Sequence, residues 1–279
     1  MNGGRMSGGD GTACDPAAVT LIVPCYNEEA GLPSLLGRLS AMREHGTQGW
    51  HVLFVDDGSS DGTFGELLRA MQEHSWIGVV RHHANLGLGA ALRTGFAEAR
   101  SPIVCTIDSD CTYPPERLSD LVAMVHAGAA IATASAWHPA SAAADGNVVR
   151  LWLSRRVSGV YKWLLGRDVY TFTCLFRAYR SSVLRGIHFR SNGFAAVAEI
   201  MLRVILAGHD IREAPMRLER RRFGVSKLRI GGAVVAHVQL MARTALMVGS
   251  QKARRMGTRN DRPLGFGHRA PRTNPQPLA

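Results

Sequence analysis

Short β-branched apolar runs alternate with longer stretches of helical periodicity through the first half of the chain. Residues 19–23, 50–55, 77–81 and 103–107 are apolar runs bounded by polar turn residues, and each reads as a buried strand. Between them, residues 30–45 carry Leu32, Leu35, Leu36 and Leu39 at helical spacing. Residues 64–74 and the stretch from Gly89 to about residue 100 follow the same rule, with Asp61 or Thr63 placed to cap the former. Pro24 is expected to end the first strand. Regular strand–helix alternation predicts an α/β fold, a mainly parallel central sheet flanked by helices. Ligands of such sheets sit outside the carboxyl ends of the strands. Here that edge collects residues 24–28, 56–58, 85–89 and 108–110.

The second half reads less regularly. Residues 131–136 suggest a strand, 141–147 a small-residue loop and 148–165 a helix carrying Arg150, Arg155, Arg156 and Lys162. Residues 172–179 are expected to be extended and 181–184 a short helix. Residues 196–207 form an amphipathic helix with Glu199 near its start, and 214–218 a last edge strand. A basic loop from Arg220 to Lys227 precedes a final helix. No internal repeat is present. The expected organisation is a disordered stretch over 1–18, one domain over 19–250 and a basic disordered tail over 251–279.

Composition narrows the partners. The chain has 279 residues, 46% hydrophobic and 20% charged, which suits a folded domain with a sizeable core. Its net charge of +11 points to nucleic acid, an anionic membrane or phosphorylated substrates. The tail holds Lys252, Arg254, Arg255, Arg259, Arg262, Arg269 and Arg272 against Asp261, and so supplies +6 of that +11. No folded face interleaves basic and aromatic residues, so nucleic acid is not expected as a partner. Peripheral membrane contact through the tail and residues 230–249 is a compatible expectation. The cysteines (Cys14, Cys25, Cys105, Cys111 and Cys174) are odd in number and form no C-x-x-C pair, as expected of reduced thiols in the cytoplasm. The first eighteen residues lack a signal-peptide core. No uninterrupted apolar run reaches the roughly 18 residues of a membrane span. The nearest, 230–249, is broken by His237, Gln239 and Arg243.

The chemistry centres on the end of the fourth strand. Side chains alternate along an extended backbone, so Asp108 and Asp110 can leave it on one side. Two such carboxylates make a poor core but a good partial shell for Mg²⁺ or Mn²⁺ shared with substrate phosphates. Pro114-Pro115 then stiffens the exit. Gly87-x-Gly89 lacks the third glycine of a dinucleotide fingerprint, since Leu92 stands there; its glycines suit a close backbone approach instead. Neither a P-loop, nor G-x-S-x-G, nor H-E-x-x-H occurs. The basic loop is by itself a solvated charge run; beside a diphosphate it becomes a cationic lid.

Several motifs occur together in order: Val23-Pro24-Cys25-Tyr26-Asn27-Glu28, Val55-Asp56-Asp57-Gly58-Ser59-x-Asp61-Gly62-Thr63, Asn85-x-Gly87-x-Gly89-Ala90, Asp108-Ser109-Asp110, Phe176-Arg177-Ala178-Tyr179-Arg180 and Gly224-x-Ser226-Lys227. In them the chain resembles family 2 glycosyltransferases, above all the dolichol-phosphate mannosyltransferase (polyprenyl-phosphate glycosyltransferase) branch, over residues 19–240. The resemblance implies a GT-A, Rossmann-like nucleotide-sugar-binding fold, a nucleotide-diphosphate sugar donor, a divalent metal (Mg²⁺ or Mn²⁺) and inversion at the anomeric carbon. Carried over by position, Pro24, Tyr26, Glu28, Val55 and Asp57 would hold the nucleoside, with Asn85 and Gly87 beside them. Asp108, Ser109 and Asp110 would meet metal and diphosphate. Arg221 and Lys227 match cations that close over the donor, and Arg156 (or Arg155) a phosphate-facing arginine. Asp110 and Glu199 are the implied catalytic positions.

The chain departs from this branch on the acceptor side. Where the branch reads Arg-Asp-x-Thr-Ser-Gly, this sequence has Tyr170-Thr171-Phe172-Thr173-Cys174-Leu175, so both phosphate ligands are lost. The position often held by Gln beside the metal is Thr112. The carboxyl-terminal membrane spans of some members are also expected to be missing. The expectation is therefore an intact donor half and a rebuilt acceptor half. A polyprenyl phosphate is already an ionised nucleophile, whereas a hydroxyl of a small soluble acceptor needs a base, for which Glu199 is the candidate. The alternative roles for Glu199 are to orient a sugar hydroxyl or to cap its helix. A catalytically silent nucleotide-sugar-binding scaffold is the remaining alternative.

Overall fold

The computed structural model describes residues 19–46, 49–142, 144–145, 147–220 and 230–260, with side chains described to residue 250. Four parallel strands, β1 (Val19–Cys25), β2 (Trp50–Asp56), β3 (Ile77–Arg81) and β4 (Ile103–Thr106), alternate with α1 (Leu32–Glu44), α2 (Thr63–Glu73) and α3 (Leu88–Glu98). After a 3₁₀ turn at Pro115–Arg117 come α4 (Leu118–His126), β5 (Ile131–Ser135), α5 (Val148–Leu165), β6 (Arg177–Arg180) and α6 (Ser181–Arg185). The remainder is α7 (Ala195–Leu206), β7 (Ile211–Pro215) and α8 (Ile230–Asn260). All seven strands form one sheet in the order β3-β2-β1-β4-β6-β5-β7. Only β6 runs antiparallel, wedged between β4 and β5.

Alternation along the strands assigns the two faces. Val19, Leu21 and Val23 join a core with Leu32, Leu35 and Leu39 of α1, Leu67 of α2 and Leu118, Leu121 and Val125 of α4. Ile22 and Val104 point the other way, to Ala91 of α3. On that face α7 is buried along nearly its whole length, and Tyr161 of α5 and Leu240 of α8 pack over it.

Several expectations shift. Pro24 does not end β1, which continues to Cys25. The Ile22 carbonyl accepts from Ile107 on the β4 side and the Cys25 carbonyl accepts from Asp57 on the β2 side. Pro24 therefore directs its missing N–H toward β4, whose pairing has already stopped at Ile22–Thr106. The helix α4 was not foreseen, because Pro114-Pro115 reads as a stop. Proline is tolerated in the first turn of a helix, and Pro115 occupies such a position.

Only the end of the expected extended run 172–179 pairs as a strand. Its start and the residues leading into it are held by side chains: Tyr170 and Thr171 donate their N–H groups to the Glu213 carboxylate (2.8 and 2.9 Å), and Phe172 donates to the Ser158 hydroxyl. The last strand lies at Ile211–Pro215, ahead of the 214–218 anticipated. Residues 230–250 form a helix that is long and apolar enough to cross a membrane by length and composition, despite the polar interruptions. Only 17% of its most apolar window is buried within the protein.

Candidate functional site

Two turns at the carboxyl edge are built as one unit. The β1–α1 turn places Asn27 at φ 53°, a conformation that asparagine tolerates better than most residues. Asn27 Oδ1 accepts from the Ser60 N–H (2.8 Å), and the Asn27 N–H donates to Ser59 Oγ (2.9 Å). The Glu28 N–H donates to Thr63 Oγ1 (2.8 Å), and the Thr63 hydroxyl donates to Asp61 Oδ1. Asp61 Oδ1 also accepts the Thr63 N–H (3.0 Å), but the cap position of α2 falls on Gly62, without a side-chain cap, rather than on the Asp61 or Thr63 anticipated.

Asp57 fastens the third turn to these two. Its Oδ1 accepts from the Leu86 N–H (3.0 Å) and lies 2.7 Å from His82 Nδ1; its Oδ2 accepts from the Gly87 N–H (2.7 Å). His82 Nε2 meets Thr94 Oγ1 at 2.9 Å, which ties the cluster to α3. Gly58, at φ +70°, allows the Asp57 turn to reach the Ala84 backbone, where a Cβ would collide.

These turns and the end of β4 enclose one cavity of about 560 Å³. Pro24, Tyr26, Glu28, Asp57, Asn85, Gly87, Asp108, Ser109 and Asp110 line it, so most of the positions singled out in the sequence are brought together. The remaining wall is Cys25 of β1, Leu88 and Ala91 of α3, Leu175, Gly193-Phe194, and Gly232, Ala233 and Ala236 of α8. Asp110 Oδ1 accepts from the Thr112 N–H (3.1 Å), and Cys111 between them takes φ 54°. Burial pushes the Cys174 thiol up to about 12, with the Asp108 carboxylate adding to the rise. Burial also raises the Tyr113 phenol, with Cys174 and then Asp108 adding to the rise.

Among the described residues there is no group of three or more His, Cys, Asp or Glu that could hold a metal. Asp108 and Asp110 thus offer an incomplete all-oxygen shell on a cavity wall. That fits an ion such as Mg²⁺, which keeps positions for ligand phosphates, better than a closed structural site. A smaller cavity of about 280 Å³ shares Ser109 and Asp110 and is closed by Arg38 and Glu219.

Other expected residues lie elsewhere. The Val55 side chain is fully buried in the core with Ile22 and Leu53. Arg156 lies on α5 with its guanidinium over the Trp152 ring (5.3 Å), and lines a separate groove with Trp137, Trp163 and Tyr170. Arg221 and Lys227 lie outside the described residues.

Glu199 does not line the cavity. It is 3% exposed; its Oε2 accepts from the Arg190 N–H (3.1 Å), the Ser191 N–H (2.9 Å) and the Ser191 hydroxyl (2.7 Å). Its Oε1 accepts from Arg203 Nε (2.9 Å) and pairs with Nη2 (2.7 Å). Burial alone would raise its pKa, but the bonds from Ser191, Arg203 and Arg190 outweigh burial and lower it. A carboxylate so held resists taking a proton, which argues against the general-base role considered for it.

His82, Phe194 and the small residues of α8 were not anticipated. Gly232 and Ala236, four apart on one helix, give a faint signal of close approach. Phe194 gives none.

A parallel sheet whose carboxyl edge gathers such turns around an Asp-x-Asp pair is the GT-A nucleotide-sugar-binding arrangement. Comparison with known proteins agrees. The description Glycosyl transferase family 2 matches residues 20–196, and the chain belongs to that family of glycosyltransferases.

The chain is 33% identical over 232 residues to the polyprenol monophosphomannose synthase of Mycolicibacterium smegmatis, covering 78% of this chain and 86% of that protein. It is 29% identical over 213 residues to the undecaprenyl-phosphate 4-deoxy-4-formamido-L-arabinose transferase of Salmonella paratyphi A. That match takes in 75% of this chain but only 62% of the relative's length. Among solved structures, glucosyl-3-phosphoglycerate synthase from Mycobacterium tuberculosis, in complex with Mn²⁺, UDP and glucosyl-3-phosphoglycerate, superposes with TM-score 0.62 at 18% identity. The superposition covers 84% of this chain and 80% of that one. The same enzyme with Mn²⁺ and UDP-glucose gives 0.61 at 18% identity, covering 84% and 79%.

Proposed function

We propose that this chain is a metal-dependent inverting glycosyltransferase that moves a sugar from a nucleotide-diphosphate donor to a polyprenyl phosphate at a membrane surface. The observation that carries the reading is the single cavity joining Pro24, Tyr26, Asp57 and Gly87 to Asp108 and Asp110. Its turn side is suited to a nucleoside and its carboxylate side to a metal-bound diphosphate. Asp108 and Asp110 would hold Mg²⁺ or Mn²⁺, which when bound neutralises charge building on the leaving nucleoside diphosphate. Arg221 and Lys227, matched by motif, would add cations over the same phosphates.

On the acceptor side, an ionised phosphate needs no base, in keeping with a Glu199 carboxylate that is fully engaged. Where the branch carries arginine this chain has Tyr170, and Lys162 Nζ sits 3.9 Å over the Tyr170 ring while pairing with Asp168 at 3.0 Å. Exposed Trp152, Val160 and Trp163 on α5, together with exposed Val235 and Val238 on α8, suit a lipid surface. The M. smegmatis and Salmonella relatives are named for polyprenol and undecaprenyl-phosphate substrates.

One observation favours a second reading, transfer to a hydroxyl of a small soluble acceptor. The two positions that face the acceptor phosphate in this branch are Tyr170 and Cys174, and Cys174 is buried against Phe176. Incubation with radiolabelled nucleotide sugars, with polyprenyl phosphate and with hydroxylated acceptors, decides between them. Label entering the organic phase only when the lipid is present is the expected result. Label confined to water-soluble product would install the second reading, and transfer to neither pool would remove both.

A further inference from the structure

Glu199 stands one helical turn inside α7, and everything that its Oε2 binds lies in the short segment leading into that helix. Its Oε2 gathers the Arg190 and Ser191 amides and the Ser191 hydroxyl, while Arg203, one turn further along, fixes the other oxygen. The segment so gathered docks on the start of α3. The Gly89 N–H donates to the Asn192 carbonyl, Arg93 donates to the Ser191 carbonyl (3.1 Å) and Arg93 also bonds the Asn192 side chain.

Both glycines of the Gly87-x-Gly89 pair face this docked backbone. A Cβ on Gly87 would fall 2.5 Å from the Asn192 carbonyl oxygen, and one on Gly89 would collide with that of Ser191. The next residues, Gly193 and Phe194, are donor-cavity wall, and Phe194 remains 41% exposed.

We infer that Glu199 is a positioning residue for donor binding: it locks residues 190–192 onto the glycine pair of α3 and thereby sets Gly193-Phe194 as a wall of the donor cavity. The inference rests on the glycosyltransferase reading for its effect on donor affinity, but the docking itself is independent of it. The glycines are there to let this segment in, and the carboxylate holds it there. Glu199 acts without touching donor or acceptor.

The test compares Glu199→Ala, Glu199→Gln and Gly89→Ala with the parent, measuring amide exchange of residues 190–194, the KM for donor sugar nucleotide, kcat and its pH profile. Glu199→Ala should speed exchange of these amides and raise donor KM about tenfold, with kcat within about threefold. Gly89→Ala should do the same with the carboxylate intact, because it displaces the segment from the other side. Glu199→Gln keeps an acceptor oxygen and should fall between alanine and the parent.

A kcat loss of about 10²-fold or more, with the acidic limb of the pH profile gone and exchange unchanged, would restore the base and overturn the inference. Unchanged exchange and KM would overturn it equally. If no UDP-, GDP- or dTDP-sugar is turned over by the parent, the functional reading fails instead, and the exchange data alone judge the docking.

Discussion

The carboxyl edge of β1–β4 and the α5–α8 flank solve opposite problems. At the edge, carboxylates and amides are drawn into a dense set of short contacts: Asp57 holds three groups of the His82–Gly87 turn, and Asn27 with the Glu28–Thr63 bond joins two turns. The flank leaves apolar surface in the open, with Trp163 79% exposed and Trp152 56%. An edge that must hold one rigid polar ligand gains from preorganised donors, whose orientation is set before binding. A flank that meets a fluid, apolar surface needs only area and a rim of cations. The contrast supports the proposed pairing of a small, defined donor with a lipid-borne acceptor.

The comparison is broken most severely at the edge. Asp110→Asn should cost about 10²–10³ in kcat/KM for sugar transfer at saturating Mn²⁺. A variant as active as the parent would remove the metal assignment.

Next in size is the girder between edge and flank. Arg177 is fully buried and donates to the Val197 carbonyl (2.7 Å), the Phe172 carbonyl (2.8 Å) and the Thr133 hydroxyl. Arg177→Met strands both carbonyls and should lower the unfolding free energy by about 2–4 kcal/mol in urea titration. A loss below about 1 kcal/mol would mean that water replaces the guanidinium.

On the flank itself, replacing Trp152 and Trp163 together by serine should weaken binding to vesicles containing phosphatidylglycerol about tenfold, leaving the melting temperature within about 2 °C. Unchanged sedimentation with vesicles would leave α8 or the basic tail as the contact.

The smallest effect concerns how α8 is held. His237 Nδ1 lies 3.0 Å from the Tyr161 hydroxyl, and burial lowers the pKa of this histidine from 6.5. Below 6.5 the unfolded chain takes a proton that the folded chain resists, so this contribution is present above 6.5 and fades as pH falls toward the folded value. Stability of the parent should therefore drop on acidification by about 1 kcal/mol or less relative to His237→Gln, measured side by side.

How legible these features were in the sequence follows the same divide. The edge announces itself because each turn needs particular residue types: an asparagine at positive φ, glycines where backbones touch, carboxylates to hold amides. The helix α5 was also legible at its full span, residues 148–165. Legibility fails where tertiary partners decide. Residues 172–179 read as extended, but Phe172 hangs on Ser158 and the two residues before it on Glu213, which no local pattern links to them. Glu199 sits near a helix start, as a base or a cap would; its i,i+4 pairing with Arg203 follows from helical spacing, but only the fold brings the Arg190–Ser191 segment to its other oxygen. Val55 carries a nucleoside-binding motif position, yet its side chain belongs to the core. In α8, expected as the final helix, a count of uninterrupted apolar residues overlooked an average composition that suffices for a membrane.

The central claim is that Asp108 and Asp110 bind a sugar nucleotide's diphosphate through a divalent ion. Thermal unfolding across UDP-, GDP- and dTDP-sugars, with Mn²⁺ or with EDTA, in the parent and in Asp108→Asn/Asp110→Asn, tests it most directly. One donor at about 100 times its Kd should stabilise the parent by roughly 2.7 kcal/mol with Mn²⁺. That gain should vanish with EDTA and in the double variant. Equal stabilisation in all three cases, or none with any donor, would contradict the claim.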